Sequence, residues 1–545
     1  MAPEHLIIAP IIIPLVAGAL LLLFDDRERR LKATISMLTA VALLVVSIAL
    51  LRITHADGVA DDGRVVVYLL GNWPPPFAIV LVLDRLSAMM LVLTAVISLP
   101  SLLFAAGRWN KAGPHYHTLF LFLLMGLNGA FLTGDLFNLF VFFEVMLAAS
   151  YGLMLHGSGT QRVRAGLHYI AMNLLAALLF LIGVAMIYGV TGTLNMADLS
   201  LRIPHVAPEN QMLLEAGAAI LGIAFLIKAG MWPLAFWLPT AYTAAPAPVA
   251  AIFAIMTKVG VYVILRLSPL FFDGTGSSVS GFGANFLFVG GMATIVFGTI
   301  GVLASQALGR LAGFSVLVSS GTLLAAMGLL QVDVTAGALY YLASSTLAVS
   351  ALFLLIELVE RGQDAVANVL AVTMEAFGEG EEDEEFDEEV GVAIPGTLAL
   401  LGISFAVCGI LVAGFPPLSG FVAKFVMLTA ALNPVGMGNG GEISSMAWWF
   451  SAMLIISGFA AMISISRAGI RAFWAPVEEN VPRVLLVEII PVGVLLALTL
   501  AITIQAGPIM RFMEATAASL HDPRSYVEGV MQAPRVERAT PEAGQ

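Results

Sequence analysis

Four side chains able to carry a proton stand inside runs that are otherwise apolar. They are Glu144 in FNLFVFFEVMLAAS, Lys228 in AILGIAFLIKAG, Lys258 in AIFAIMTKVGVYVILRL and Lys424 in GFVAKFVML. A charge at the centre of a bilayer costs ~2.5–3.5 kcal/mol on insertion scales, so such residues mark ion or proton pathways. One carboxylate cannot neutralise three amines, and at least two of these lysines lack an acid from the set. Removal from water disfavours the charged form of an amine, and an amine near that balance can accept and release a proton. Glu144 is the natural counter-ion of Lys228. Their approach holds a proton on the lysine and their separation frees it.

Two of the runs are interrupted. FLIKAGMWPLAFWLP carries Gly230, Pro233 and Pro239, and VAGFPPLSGFVAKF carries Gly414, Pro416, Pro417 and Gly420. Proline removes a backbone donor and clashes with the preceding turn, so each helix is expected to break beside its lysine. Paired interruptions in matching positions point to an inverted repeat around a transport site. Lys228 closes the first half of its helix, where the dipole favours a cation; Lys424 opens the second half, where it does not. Lys424 is therefore expected to release its proton more readily than Lys228.

Other polar residues rank as secondary candidates. His168 stands at the start of an apolar run and is a candidate entry point for protons. Glu488 lies a turn or two into the last run and is expected to face a neighbouring subunit. Asp84 and Asp135 read as helix caps, and Glu357 and Glu360 as solvated residues at a helix end. Among 545 residues there is no Walker-type GxxxxGK[ST], no HExxH, no GxGxxG after a strand and one cysteine, Cys408. These absences leave no motif for nucleotide or metal chemistry, and no cofactor is expected. A basic surface for nucleic acid is also missing: the net charge is −12, with an acidic run from Glu379 to Glu389.

The elements that position these residues must cross a bilayer. The chain is 59% hydrophobic and 11% charged, with a mean hydropathy of +0.95, whereas soluble domains carry about a quarter charged residues. A hydrocarbon core of ~30 Å takes about 20 apolar residues of helix, and the runs show none of the alternation of a barrel strand. The expected fold class is an all-α polytopic membrane protein of about fourteen spans. These lie near 5–24, 32–52, 79–104, 117–133, 135–156, 165–189, 213–239, 246–267, 282–304, 309–331, 335–359, 396–429, 446–466 and 483–506. The first apolar run lacks a basic leader and a cleavage site, and is read as a retained helix. Basic residues collect in alternate loops, which places those loops in the cytoplasm and both termini outside. The division is 1–112 for the first three helices, 113–268 and 269–468 for two five-helix repeats, and 469–545 for the last helix and a polar tail. The second repeat includes an acidic cytoplasmic loop, 375–389.

The stretches YLLGNWPPPFAIVLVLDRLSAMM (68–90), GDLFNLFVFFEVM (134–146), FLIKAGMWPLAFWLPTAY (225–242), MTKVGVYVILR (256–266) and AGFPPLSGFVAKF (413–425) resemble the antiporter-like membrane subunits. That family comprises subunits of Mrp/Pha multisubunit cation/proton antiporters and the proton-pumping membrane subunits of respiratory complex I. The resemblance is strongest to the D-type member of the Mrp set. It implies a bacterial cell membrane, fourteen helices with two inverted five-helix repeats, and a proton path through Glu144, Lys228, Lys258 and Lys424. Family members often carry a histidine or lysine in the eleventh helix. Here the stretch reads YYLASSTLAV (340–349), leaving Ser344, Ser345 and Thr346 to bridge Lys258 and Lys424 through water, or a weakly connected half-channel. The acidic loop is also unlike the family.

The expected function is a proton-translocating subunit of a secondary cation/proton antiporter. Its partners are other membrane subunits, protons and Na+. No cluster of carboxylates and carbonyls suits a hard cation, which favours protons in this chain and Na+ elsewhere. The alternatives are a proton-pumping subunit of complex I or a membrane-bound hydrogenase, and a structural subunit with a vestigial channel.

Overall fold

The computed structural model describes residues 3–25, 27–55, 64–77, 79–272, 283–377, 396–436, 441–473 and 484–535, with side chains left undescribed at 3–4, 272 and 362–377. The acidic loop, beyond its first three residues, lies outside the described residues. The chain opens with α1 (Ala9–Leu21) and α2 (Arg29–Thr54), then a hairpin of β1 (Val66–Leu69) and β2 (Val80–Leu83). There follow α3 (Arg85–Gly107), α4 (Tyr116–Leu132), α5 (Leu136–Met154), α6 (Thr160–Thr191) and a short α7 (Met196–Arg202). The middle of the chain holds α8 (Pro208–Ala229), α9 (Trp237–Ala244), α10 (Ala247–Phe272), α11 (Ala284–Ala304), α12 (Leu308–Gly328) and α13 (Val332–Phe377). The remainder is α14 (Gly396–Ala413), α15 (Ser419–Leu432), α16 (Ser445–Phe473), α17 (Leu486–Ile504), α18 (Ala506–His521) and α19 (Arg524–Met531).

Twelve of these helices are long and apolar enough to cross a membrane, and α1, α4 and α15 are shorter apolar helices. The protein is an all-helical, multi-pass membrane protein. The most apolar stretches of α10, α12 and α13 are 94%, 89% and 89% buried, while that of α17 is 28% buried. Three helices therefore form the centre of the bundle, and the residues they carry are the ones shut away from lipid.

The third expected span begins too early. Residues 80–83 pair antiparallel with 66–69, Val66 opposite Leu83, and all four are buried. The apolar run is continuous across the boundary, so hydropathy does not see it. The cap does: Asp84 is extended, its carboxylate accepts from the Ser87 amide at 2.9 Å, and the Ser87 hydroxyl accepts from the Asp84 amide at 2.9 Å. Such a reciprocal box satisfies donors that a helix start leaves open. Asp135 caps α5 through the Asn138 amide at 2.9 Å.

Asp84 also accepts from both terminal guanidinium nitrogens of Arg266, on α10. The Arg266 carbon lies 4.9 Å from the Tyr526 ring centre and 5.6 Å from that of Tyr262. Tyr262 in turn donates to the Phe131 carbonyl at 2.6 Å. Tyr526 belongs to α19, so the segment expected to be a polar tail packs against the first hairpin. Its apolar residues Met513, Ala517, Leu520, Val527 and Val530 are buried.

Removing one member of a buried ion pair costs ~3–5 kcal/mol, because the other charge is left unpaired. Arg266→Leu and Asp84→Leu are each expected to lower thermal stability in detergent by that order. The double variant should lose clearly less than the sum, which a thermal-unfolding double-mutant cycle measures.

Candidate functional site

Helix α8 ends one residue after Lys228. Gly230 caps it at φ 72°, ψ 40°, a left-handed conformation natural to glycine, and α9 resumes only at Trp237. Pro233 lies in the gap and Pro239 in the first turn of α9. The second interruption is similar. Helix α14 stops at Ala413, Gly414 has φ 74°, Pro416 and Pro417 fill the gap, and α15 starts at Ser419. Gly420 is needed for close approach: a Cβ there would stand 2.2 Å from the Leu411 carbonyl oxygen.

Each lysine amine is held by a neutral oxygen. Lys228 Nζ donates to Asn173 Oδ1 of α6 at 2.8 Å, and Asn173 is fixed by its own bond to the Tyr169 carbonyl at 2.8 Å. The same amine lies 5.4 Å from the Phe143 ring centre. Lys258, 2% exposed, donates to Ser319 Oγ of α12 at 2.7 Å. Lys424, 7% exposed, donates to the Ala413 carbonyl at 2.8 Å. Gly458 of α16 leaves room for this last contact, since a Cβ there would lie 2.8 Å from the Ala413 oxygen and 3.2 Å from Lys424 Nζ.

Glu144 sits on α5, partly buried, with Oε1 enclosed and without a hydrogen-bond partner. It makes no ion pair with Lys228, although their charges interact through space. The counter-ion expected from sequence is therefore near but not in contact; Asn173, which no charge pattern singles out, takes the direct bond. The dipole argument for Lys424 also needs correction. Its backbone belongs to the start of α15, but its amine reaches back to the C-terminal carbonyl of α14. Lys228 has its backbone in the last turn of α8, and Lys424 has its amine at the end of α14, so both meet the negative end of a first half-helix and the expected ordering loses its basis.

Lys258 continues into a row of hydroxyls. Ser319 Oγ and Ser345 Oγ are 2.9 Å apart, and both line a cavity of ≈ 20 Å³ that also meets Thr299, Tyr341, Ser344 and Lys424. Ser344 bonds Ser419 at 2.8 Å. Thr346 bonds back to the Leu342 carbonyl of its own helix at 2.5 Å and stands apart from the cavity. Sequence reasoning treats Ser344, Ser345 and Thr346 alike; only packing separates them, and it misses Ser319 and Thr299 because a hydroxyl in an apolar helix is an ordinary sight.

The secondary candidates fall elsewhere. His168 is exposed on α6, with Nδ1 against the Arg164 carbonyl at 3.0 Å. Glu488 does not face outward: it is 1% exposed and accepts from Arg361 at 2.8 Å, while its carboxylate also takes the Leu485 amide at 3.3 Å. Glu357 is not simply solvated either. It accepts from Arg361 at 2.6 Å and from Trp109 Nε1 at 2.9 Å, whereas Glu360 is exposed. Nearby, in the loop after α5, His156 packs against the Trp109 carbonyl at 2.8 Å. Burial holds its imidazole below the usual range.

Residues 133–438, which include all four charged candidates, match the family model described as the transmembrane region of NADH:quinone oxidoreductase and Mrp antiporters. The chain belongs to this family. It is 57% identical over 98% of its length to a Rhizobium meliloti protein named as a probable K+/H+ antiporter D subunit, of which it covers 98%. It is 34% identical over 97% of its length to the Na+/H+ antiporter D subunit of Alkalihalophilus pseudofirmus, of which it covers 100%. Among solved structures it is similar to a chain of the Mrp complex from Dietzia sp. DQ12-45-1b, with a TM-score of 0.79 and 27% identity, covering 97% of this chain and 100% of that one. The antiporter family is thus shown over nearly the whole chain.

In this family member the Lys424 amine depends on the absence of a side chain at residue 458. Gly458→Val is expected to displace it and to cost ~1–3 kcal/mol as overpacking. Thermal unfolding of the purified protein measures that loss.

Proposed function

We propose that this chain is the proton-translocating subunit of a multisubunit monovalent cation/proton antiporter. The observation that carries the reading is the company of the three lysine amines. Asn173 Oδ1, Ser319 Oγ and the Ala413 carbonyl are all uncharged acceptors, and among the described residues none of the three lysines forms an ion pair. An ammonium held by a carboxylate is a fixed strut; one held by a neutral oxygen keeps its bond partner whether it carries the extra proton or gives it up. Glu144, with an enclosed unpartnered oxygen beside Lys228, acts as the movable counter-charge.

The two halves around the path, α4 to α10 and α11 to α16, are read as inverted five-helix repeats within fourteen spans, with both termini outside. The support is that each half holds one helix interrupted at a left-handed glycine, with a lysine amine at the end of its first segment. Relatives named for K+ and for Na+ leave the cation to be fixed by assay. The competing reading, a proton-pumping subunit of a redox complex, shares the family; the 57% identical antiporter relative favours exchange.

The test uses the whole complex in everted vesicles. Lys228→Arg, Lys258→Arg and Lys424→Arg retain charge, but a guanidinium does not deprotonate in proteins. Each is expected to abolish cation-driven proton exchange while the partner subunits still co-purify, and Glu144→Gln to slow it strongly. Wild-type exchange in the arginine variants would overturn the reading. Co-purification of a flavin or iron–sulfur protein would move it to the redox class.

A further inference from the structure

Between Lys258 and Lys424 the structure places a row of hydroxyls. Resting on the function proposed above, we infer that Ser319 and Ser345, with a single water held by Thr299, form an uncharged relay that passes protons between the two lysines.

The geometry runs in one direction from Lys258. Its amine donates to Ser319 Oγ at 2.7 Å, which lies 2.9 Å from Ser345 Oγ. The Ser345 hydroxyl has a weak alternative in its own helix, the Leu342 carbonyl at 3.4 Å, so its hydrogen is available to the cavity. The cavity of ≈ 20 Å³ exceeds the ~10–15 Å³ that one water needs, and a buried water also needs two to four polar partners. Ser345, Thr299 and Lys424 are among the residues that line the cavity, and the Lys424 amine is bonded to the Ala413 carbonyl. Thr299 is 6% exposed, and its hydroxyl, enclosed and without a hydrogen-bond partner, aims at nothing else. An unsatisfied buried hydroxyl costs ~1–3 kcal/mol, which a bound water recovers.

The step balances without an ionised intermediate side chain. An N–H bond of the Lys258 ammonium breaks as an O–H bond forms on Ser319, whose own hydrogen moves to Ser345. The hydrogen of Ser345 passes to the water, and a hydrogen of the water passes to the neutral Lys424 amine. Each oxygen ends with as many hydrogens as it began with, Lys258 is left neutral and Lys424 charged, and rotation of the hydroxyls resets the row. Ser344 is not part of it, because its hydroxyl is engaged by Ser419 at 2.8 Å.

Thr299→Val is nearly isosteric and deletes only the water's anchor; Ser319→Ala and Ser345→Ala each delete a link. The oxygen removed leaves less than the ~30 Å³ share of one water, so a second water does not fill the gap. Each variant is expected to slow proton exchange by the complex in proteoliposomes about tenfold, the rate equivalent of one hydrogen bond lost from the path. The half-saturating cation concentration and the co-purification of partner subunits should not change. Ser350→Ala, which removes another buried α13 hydroxyl bonded to the Ala251 carbonyl at 2.9 Å, should exchange normally. Wild-type exchange in Thr299→Val and Ser345→Ala, with exchange lost in Lys258→Ala and Lys424→Ala, overturns the relay alone. Wild-type exchange in all four overturns the proposed function as well.

Discussion

An amine enclosed in a membrane bundle must find oxygen acceptors there, since neither lipid nor apolar side chains supply any. Much of the site follows from how this chain meets that demand. A continuous helix spends its carbonyls on itself, and only the last four lack an intrahelical partner. Stopping α14 at Ala413 leaves such a carbonyl inside the bundle, where Lys424 takes it. Stopping α8 at Ala229 sets Lys228 at the end of a half-helix, facing Asn173. The break at Gly414 is thus what makes Lys424 tolerable, whereas Lys228 relies on the side chain of Asn173.

Charges elsewhere are treated in the opposite way. Asp84 with Arg266, and Arg361 with Glu357 and Glu488, are matched pairs or triads of opposite sign with good geometry. They join distant parts of the chain: α3 to α10 in one case, α13 to α17 in the other. Such groups fix packing at the cost of desolvation. The fold therefore sorts its buried ions into those tied to a counter-charge and those left with neutral company.

Much of this is legible in the residues. Long apolar runs announce spanning helices, and single charges inside them stand out against any background. Gly230, Gly414 and the neighbouring prolines mark the interruptions by backbone chemistry alone. Other features leave no local trace. Val80 to Leu83 continues an apolar run and differs from helix only in its pairing with 66–69. Glu488 reads as outward-facing because its partner, Arg361, lies 127 residues away. Ser344 and Ser345 are indistinguishable by type, and adjacent helical positions point some 100° apart, so one meets Ser419 and the other Ser319. The lengths of α18 and α19 are hidden by their polar composition, which reports solvent exposure on one face and not the buried stripe on the other.

The smallness of the cavity between the central lysines has a consequence for the cell's energy supply. On the proposed proton path, a space of ≈ 20 Å³ at that point holds one water-sized occupant. An alkali ion would have to discard its hydration shell among amines of its own sign to follow. Each elementary charge that slips across a membrane held at 100 mV dissipates ~2.3 kcal/mol. On the proposed proton path, a constriction lined by hydroxyls would work as a sieve against larger ions and spare the electrochemical gradient that the membrane stores.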